Sequence, residues 1–500
     1  MKLAGRARAG KVPSTDLQFL YIGRTTQDET DAYCDGASPD PVSASPEECM
    51  PRAVALPAAR LLWSGLVVAS LVTDLAAQRV EPPPLRRRPA WGGGIAPPAD
   101  STGATVGRVA PGSAAERAGV KVGDRLVWLD GQSAADPPAF MRRYRALRAG
   151  DTLRAQVTRD GVAAPFAVTI PLEPLPAERI PGAIVTYGSV VTDRGVRLRT
   201  IVTRPERARG KLPGLMLVGW LSCSSVEIPA QGGDGLAQVF KAIAARSNTV
   251  FLRVEKAGVG DSEGDCDATD LDAELAGYRA ALDALRRRPD VDSTRIYLFG
   301  ASIGGALAPV VAAMLPPAAP VRGIIVTGGF AKTWLEHQLE QERRRLALLG
   351  RAPGEVTAAL QGFAELYTEF LIRKRTPGEV VAERPHLREI WYDAPAHQYG
   401  RPARYYHQVQ ALNVLEAWSA ISAPVLILHG EHDWIMSRED QDLVLAAVNR
   451  NRPGAAKLVV LPGTGHDLDT FATLEDSFQG RNASYDPRPE REILAWLRAH

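Results

Sequence analysis

A serine at the apex of a strand–turn–helix pattern constrains this chain more than any other feature. An apolar run, Arg295–Phe299, ends abruptly at the five residues Gly-Ala-Ser-Ile-Gly of positions 300–304. A segment rich in Ala, Leu and Val follows with helical character. Side chains two positions before and after the serine would collide in so tight a turn, so small residues are needed there. The pattern predicts a nucleophile elbow, which exposes the Ser302 hydroxyl above a sheet.

The G-x-S-x-G pattern occurs a second time, around Ser262 at residues 260–264. This copy begins some residues after the predicted strand Thr249–Val254, and no apolar helix follows it directly. A nucleophile elbow needs both the strand and the helix next to its turn. We therefore interpret residues 260–264 as a loop and expect the nucleophile at Ser302.

The composition excludes several classes of function. The chain has 500 residues, enough for two or three domains, with 45% hydrophobic and 23% charged residues. A net charge of +2 does not indicate a nucleic acid or anionic lipid partner. The sequence has no P-loop, dinucleotide fingerprint or metal-ligand motif, so we expect neither a cofactor nor a metal. The run Arg86–Arg88 lies among prolines and is interpreted as a solvated linker.

Residues 50–78 have the order of charges typical of a secretory signal. Arginines precede an uncharged apolar run at 61–73, and small residues follow it. The run is shorter than the ~20 residues that a membrane-spanning helix needs. We therefore predict an exported protein, periplasmic or secreted, without a stable membrane span. Residues 50–78 are then the signal peptide, and residues 1–49 a non-native extension before the true start at Met50. An internal anchor or a buried helix is the alternative interpretation.

Between two proline-rich linkers, 79–90 and 174–181, the region 91–173 contains closely spaced turns with glycine. The turn motifs are Gly-Gly-Gly-Ile at 92–95 and the segments 109–119, 122–126 and 130–131. On these motifs the region resembles a PDZ domain of the kind found in bacterial exported proteases. The resemblance implies a groove that binds a peptide C-terminus as an added strand. It also implies that Gly93, Gly94 and Ile95 form the carboxylate-binding loop.

One departure from the PDZ pattern keeps a second interpretation open. Two prolines stand within Ala96–Ala99, where an edge strand is expected. Proline cannot donate a hydrogen bond to a strand ladder. A domain that only packs on its neighbour, as a scaffold or substrate guide, is therefore the alternative to a peptide-binding domain.

Apolar strands alternate with helical segments from residue 180 to 500, which is the pattern of an α/β sheet. The predicted strands are 184–191, 196–203, 215–218, 249–254, 295–299, 323–327, 424–428 and 457–461. The interval 331–421 contains no clear strand, and apolar residues recur in it at helical spacing. We expect a mostly parallel eight-stranded sheet with helices on both faces, the plan of an α/β-hydrolase. The interval 331–421 is predicted to be a helical lid over the site.

A serine hydroxyl needs a base to take its proton, and the base needs an orienting carboxylate. Asp433 follows the seventh predicted strand, and His466 follows the eighth. In this fold the catalytic groups lie at the carboxyl ends of strands, in the chain order Ser, Asp, His. We therefore predict Ser302 as nucleophile, His466 as base and Asp433 as acid. Glu431 is the best alternative acid.

The oxyanion of such a reaction needs two N–H donors fixed in advance. One is expected from Ile303, at the start of the helix, where the helix dipole favours negative charge. The other is expected from the loop 219–223 after the strand Leu215–Val218. Trp220 and Leu221 are both candidates for this second donor.

Cys223 and Cys266 would be the only cysteines of a mature exported chain. Both lie just past the ends of predicted strands that are neighbours in the expected fold. A disulfide across so many residues would contribute about 4 kcal/mol if it is unstrained. Two buried free thiols are the alternative, but an oxidising compartment favours the bridge.

With these residues in place, the region 180–500 resembles the α/β-hydrolase superfamily, near the bacterial exported esterases and the serine-aminopeptidase-like members. The segment 253–264 resembles the loop after the fourth strand in that branch, and we interpret it as architecture rather than chemistry. We expect a cofactor-free serine hydrolase that cleaves small-molecule carboxylic esters through an acyl-enzyme. A serine peptidase or aminopeptidase acting on short peptides is the alternative. A PDZ-based peptide-binding protein with an inactive hydrolase body is the third hypothesis.

Overall fold

The computed structural model describes residues 84–96, 103–229, 232–391, 393 and 395–500. The predicted extension 1–49, the predicted signal peptide 50–78 and the prolines within Ala96–Ala99 lie outside these residues. No helix in the described part of the chain is long and apolar enough to cross a membrane.

The first folded region is a six-stranded antiparallel sheet with two helices. Its strands and those beside it are β1 Pro89–Ala90, β2 Gly93–Ile95, β3 Ala104–Val109, β4 Arg125–Leu129, β5 Gln132–Ser133, β6 Thr152–Thr158, β7 Phe166–Pro171 and β8 Glu173–Pro174. The helices are α1 Ala114–Arg117 and α2 Pro137–Ala146. The strand order is β2-β3-β4-β6-β7, with β5 paired to β4. Gly93, Gly94 and Ile95 therefore lie on a strand at the edge of the sheet.

The two proline-rich linkers pair with each other, since β1 and β8 form an antiparallel ladder. The Arg87 side chain, only 17% exposed, lies 2.7 Å from Glu227 and 2.8 Å from Asp261 of the second region. The interpretation of Arg86–Arg88 as a solvated linker is therefore wrong for Arg87. The physical reason is charge, because Arg87 meets two nearly buried carboxylates, those of Glu227 and Asp261.

The second region is built on an eight-stranded sheet. Its strands, and a hairpin outside that sheet formed by β15 and β16, are β9 Ala183–Val191, β10 Arg197–Pro205, β11 Leu212–Val218, β12 Val250–Val254, β13 Val291–Ala301, β14 Gly323–Thr327, β15 His397–Gln398, β16 Arg401–Pro402, β17 Val425–Gly430 and β18 Ala456–Leu461. The order is β18-β17-β14-β13-β11-β12-β10-β9. Only the pairs of β10 with β9 and with β12 are antiparallel. The predicted fold class is confirmed.

Helices cover both faces of this sheet, which is why β11 and β12 are buried along their whole length. The helices are α3 Gly235–Arg246, α4 Leu271–Arg287, α5 Ile303–Ala312, α6 Trp334–Leu348, α7 Pro353–Tyr367, α8 Pro377–Glu383, α9 Ala403–Gln410, α10 Val414–Ser419, α11 Arg438–Asn451, α12 Leu474–Gln479 and α13 Arg488–Ala499. Apolar residues of α4, α5 and α11 share one core cluster, and those of α3 and α13 share another. The two clusters lie on opposite faces of the sheet, as the alternation of side chains along each strand requires.

The predicted lid is a helical insertion between β14 and β17, made of α6 to α10 and the short hairpin of β15 and β16. Helix α6 begins at a capping box, in which Thr333 and Glu336 satisfy each other's backbone N–H groups. Arg344 of α6 donates to the carbonyl oxygens of Trp434 and Ile435, at 2.9 and 2.7 Å. The insertion therefore contacts the loop that carries Asp433.

Candidate active site

Ser302 occupies a turn that leaves no room for larger neighbours. Strand β13 ends at Ala301 and α5 begins at Ile303, so the turn consists of the serine alone, with φ 57° and ψ −127°. A positive φ is strained for a residue with a side chain, and such strain concentrates at functional sites. A Cβ atom at Gly304 would lie 2.0 Å from the carbonyl oxygen of Val218. The strand, turn and helix are thus arranged as the sequence pattern predicts.

His466 lies between Ser302 and Asp433. Its Nε2 is 3.0 Å from Ser302 Oγ, and its Nδ1 is 2.9 Å from Asp433 Oδ2. The other carboxylate oxygen of Asp433 accepts the N–H groups of Ile435 and Met436, both at 2.9 Å. Three side chains that follow three different strands therefore form one hydrogen-bonded line.

The charges along this line favour proton transfer to His466. Burial alone would lower the pKa of His466, but the charge and hydrogen bond of Asp433 raise it to about 9. Burial would raise the pKa of Asp433, yet the interactions with His466 and the N–H of Met436 keep it below its usual value. The site can therefore hold an imidazolium beside a carboxylate.

The absence of a side chain at Gly328 leaves room for the imidazole of His466. This glycine follows β14 and has φ +58°. A Cβ atom there would lie 2.9 Å from Cε1 of His466 and 3.3 Å from Oδ2 of Asp433. Sequence reasoning missed Gly328, although its position just after a predicted strand was a usable signal.

Glu431 and Ser262, the alternatives to Asp433 and Ser302, form hydrogen bonds with other residues. The carboxylate of Glu431 accepts the N–H of Gly463 at 2.8 Å. Ser262 of the second G-x-S-x-G pattern is fully buried, and its Oγ accepts the N–H of Arg199 at 2.9 Å. Ser262 therefore closes a loop onto β10, as the interpretation of residues 260–264 expects.

The loop after β11 approaches the start of α5. Ile303 is the first residue of α5, where a backbone N–H has no partner inside the helix. Gly219 donates its N–H to Tyr278 Oη at 3.0 Å. In the described part of the chain, no hydrogen bond occupies the N–H of Trp220 or of Leu221. Both remain available as the second oxyanion donor.

A buried cluster of charged side chains donates hydrogen bonds to carbonyl oxygens of the loop 219–223. Sequence reasoning did not find this cluster. Lys256 donates to the carbonyl oxygen of Trp220, and Arg401 of the lid donates to that of Leu221 at 3.4 Å. Both cations share one carboxylate, because Glu274 lies 3.9 Å from Lys256 Nζ and 2.6 Å from Arg401 Nη2. The available signal was Lys256 itself, inside the segment 253–264 that we interpreted only as architecture.

A disulfide joins Cys223, at the end of the loop, to Cys266. Cys266 opens a short 3₁₀ turn. The next residue, Asp267, pairs with Arg145 of α2 at 2.6 Å, and its carbonyl oxygen lies 3.1 Å from His397 Nε2. The loop, the first folded region and the lid therefore meet around this bridge.

Among the described residues, no cluster of three or more His, Cys, Asp or Glu side chains could hold a metal ion. Separately, the hydrogen bonds that join Ser302, His466 and Asp433 are of the kind that supports nucleophilic and acid–base chemistry.

Comparisons with known proteins agree with this architecture. Residues 234–470 match the family model described as serine aminopeptidase, S33, and residues 86–170 match the PDZ domain model. No curated protein matches the sequence significantly.

Several solved structures align with part of the chain. An esterase from Pyrococcus furiosus is 12% identical with a TM-score of 0.39, over 63% of this chain and 91% of that one. Est1E from Butyrivibrio proteoclasticus, with ferulic acid bound, is 19% identical with a TM-score of 0.39, over 63% and 100%. Acetyl xylan esterase 1 from Thermoanaerobacterium is 18% identical with a TM-score of 0.35, over 58% and 80%. Alignments with identities and TM-scores this low carry no information on the substrate of this chain.

These matches cover most of the first folded region and much of the second, and the second contains the strand–turn–helix elbow around Ser302. The chain therefore contains an α/β-hydrolase domain of the serine hydrolase class, with a PDZ domain ahead of it.

Proposed function

We propose that the protein cleaves carboxylic esters of small molecules through an acyl-enzyme on Ser302. The observation that carries this proposal is the line of hydrogen bonds, at 3.0 and 2.9 Å, from Ser302 through His466 to Asp433. His466 takes the proton of Ser302 as Oγ attacks the acyl carbonyl, and then gives it to the leaving alcohol. A water molecule activated by His466 next releases the acid and restores Ser302.

The remaining groups stabilise charge. Asp433 keeps the proton of the neutral imidazole on Nδ1 and stabilises the imidazolium that forms. The oxyanion is bound by the N–H of Ile303 and by that of Trp220 or Leu221. Each such donor lowers the barrier by about 3 kcal/mol.

Esters are the preferred substrates in this proposal, because an alcohol leaves more readily than an amine. A peptidase for free N-termini is the second candidate, supported by the description of the matching family.

The test compares p-nitrophenyl butyrate with alanine p-nitroanilide as substrates of the purified protein, beside Ser302→Ala. Serine-dependent ester cleavage with negligible anilide cleavage supports the esterase. Serine-dependent anilide cleavage at comparable kcat/KM makes the protein a peptidase. Turnover that survives in Ser302→Ala contradicts both candidates.

We also propose that the protein is exported. The bridge between Cys223 and Cys266 supports this, since disulfides persist in oxidising compartments. The charge pattern of residues 50–78 supports it independently. Cell fractionation with N-terminal sequencing is the test. A mature chain that begins near residue 79 outside the cytoplasm is expected, and an uncleaved cytoplasmic chain with free thiols would contradict export.

For the PDZ domain we propose that β2 binds an extended peptide C-terminus, with Gly93, Gly94 and Ile95 around its carboxylate. The edge position of β2 supports this proposal, because an edge strand leaves backbone groups open to an added strand. Binding of peptides with a free C-terminus, but not of their C-terminal amides, is the expected result. Equal binding of both forms would contradict it.

A further inference from the structure

We propose that Lys256 is a positioning residue that holds the oxyanion loop, residues 219–223, in its active geometry. The inference rests on the proposed function, because this loop matters only if it supplies a donor to an oxyanion. Lys256 itself belongs to the segment 253–264, and nothing in the acid–base chemistry of Ser302 and His466 requires it.

Lys256 contacts the loop on both sides of its central residue. Its ammonium donates to the carbonyl oxygen of Trp220 and to that of Ser222, the latter at 3.3 Å. The side chain is only 6% exposed. An ammonium has three N–H donors, and Glu274, at 3.9 Å, is its nearest anion among the described ion pairs.

These bonds determine where the N–H groups of the loop point. In a trans peptide the carbonyl and the following N–H lie in one plane and point in opposite directions. Fixing the carbonyl of Trp220 therefore fixes the N–H of Leu221. The bond from the N–H of Gly219 to Tyr278 fixes the start of the loop in the same way. Hydrogen bonds therefore fix the peptide group before Gly219 and the peptide group after Trp220, on either side of the N–H of Trp220.

The same cluster acts on the pKa of Lys256 in both directions. Burial lowers this pKa, Glu274 raises it and Arg401 lowers it, so that it lies below its usual value. Glu274 also pairs with Arg401, whose guanidinium reaches the carbonyl oxygen of Leu221. Two cations that share one carboxylate therefore bind successive carbonyl groups of the loop.

Oxyanion stabilisation depends on donors that are in place before the reaction begins. Without Lys256 the carbonyl groups of Trp220 and Ser222 lose a charged partner, and the loop can turn its N–H groups away from the oxyanion. The loss should fall on the transition state and leave ground-state binding of an ester almost unchanged. An effect on folding alone would instead lower the number of working sites.

The experiment measures Lys256→Met in the full chain with p-nitrophenyl butyrate, per active site titrated with a fluorophosphonate. We expect kcat per titrated site to fall ~100-fold, as for the loss of an oxyanion donor, with KM changed less than about threefold. The Ki of a trifluoromethyl ketone, which forms an oxyanion with the serine, should rise by a similar factor. Lys332→Met is the matched control, because Lys332 is similarly buried at 10% exposure but pairs with Glu340 and Glu439. It should keep the wild-type kcat.

A wild-type kcat and Ki per titrated site in Lys256→Met would overturn the inference. If that variant does not fold, the same constants are measured on Lys256→Gln, which keeps an N–H donor but removes the charge. The proposed function fails separately, by activity in Ser302→Ala. Loss of activity in Ser302→Ala together with full activity per site in the Lys256 variants refutes only the positioning role.

Discussion

At the scale of single residues, the proposed role of His466 as the base predicts how activity depends on pH. Only the neutral imidazole accepts the proton of Ser302, and the pKa of His466 is raised to about 9. We therefore expect kcat/KM to rise with pH up to about 9 and then to level off. In Asp433→Asn the increase of the residual activity with pH should begin at a lower pH than in the wild type, because the charge that raises the pKa of His466 is gone. A pH–rate profile that is identical in both proteins would contradict this assignment.

The raised pKa of His466 also predicts that the free energy of unfolding depends on pH. A raised pKa means that the folded protein binds the proton more tightly than the unfolded chain, whose histidines titrate near 6.5. The contribution of His466 to the free energy of unfolding is therefore complete below about pH 6.5 and is lost as the pH rises through about 9. Urea titrations of the wild type and Asp433→Asn should differ by less at pH 10 than at pH 6. A constant difference would rule this contribution out.

Gly328 offers a test of how closely the imidazole must be placed. The added methyl group of Gly328→Ala would meet Cε1 of His466 at 2.9 Å, and a displacement of about 1 Å can cost 100-fold in rate. Gly350→Ala is the matched control, since Gly350 also has a positive φ, +70°, but nothing lies within 4 Å of the added atom. We expect kcat to fall ~100-fold in Gly328→Ala and to stay unchanged in Gly350→Ala. Equal rates in both variants would show that the imidazole has room to spare.

At the scale of elements, the disulfide is the feature whose removal can be measured directly. The double variant Cys223→Ser with Cys266→Ser removes a cross-link that spans 43 residues. We expect the free energy of unfolding to fall by up to about 4 kcal/mol in denaturant titrations. Dithiothreitol should destabilise the wild type by a similar amount and leave the double variant unchanged. Equal stability of wild type and variant without reductant would contradict a structural role.

The elements of the large sheet could be predicted because each strand is a short apolar run between helices. The predicted strand 323–327 has the observed bounds, while β13 begins earlier than predicted, at Val291. The early part of β13 is polar, and its pairing with β11 contains a bulge. Periodicity does not reveal such a segment.

The roles of Ser302, His466 and Asp433 remain predictions, although the structure brings the three side chains together.

Other parts of the site depend on contacts that no local pattern reveals. Lys256, Glu274 and Arg401 come from a strand end, a helix and the lid, and each is unremarkable in its own segment. Only the fold places them in one cluster behind residues 219–223. The choice between Trp220 and Leu221 depends on the direction of single peptide planes, which residue type does not determine.

At the scale of the whole molecule, Arg87 joins both linkers of the PDZ domain to the hydrolase domain. Its guanidinium pairs with Glu227 and Asp261 and also donates to the carbonyl groups of Leu175 and Pro176 in the second linker. Removing one member of a buried ion pair typically costs about 3–5 kcal/mol. In Arg87→Met we therefore expect both linkers to become sensitive to limited proteolysis.

Arg86→Met is the control for this prediction, because Arg86 is 56% exposed and pairs only with Asp151 of the PDZ domain itself among the described ion pairs. It should leave the cleavage pattern unchanged. Linkers that resist proteolysis in Arg87→Met would show that other contacts hold the domains together. Sequence alone suggested none of this, since an arginine between prolines resembles any solvated linker.

The most direct test of the whole account is the hydrolysis of p-nitrophenyl butyrate by the wild type and by Ser302→Ala. The circular dichroism of both proteins serves as the control for folding. Loss of a catalytic serine of this kind lowers kcat by about a million-fold, so the variant should release no p-nitrophenol above its uncatalysed rate. Intact-protein mass spectrometry should detect an acylated species only in the wild type. A folded Ser302→Ala protein that still hydrolyses the ester would contradict the account at its centre.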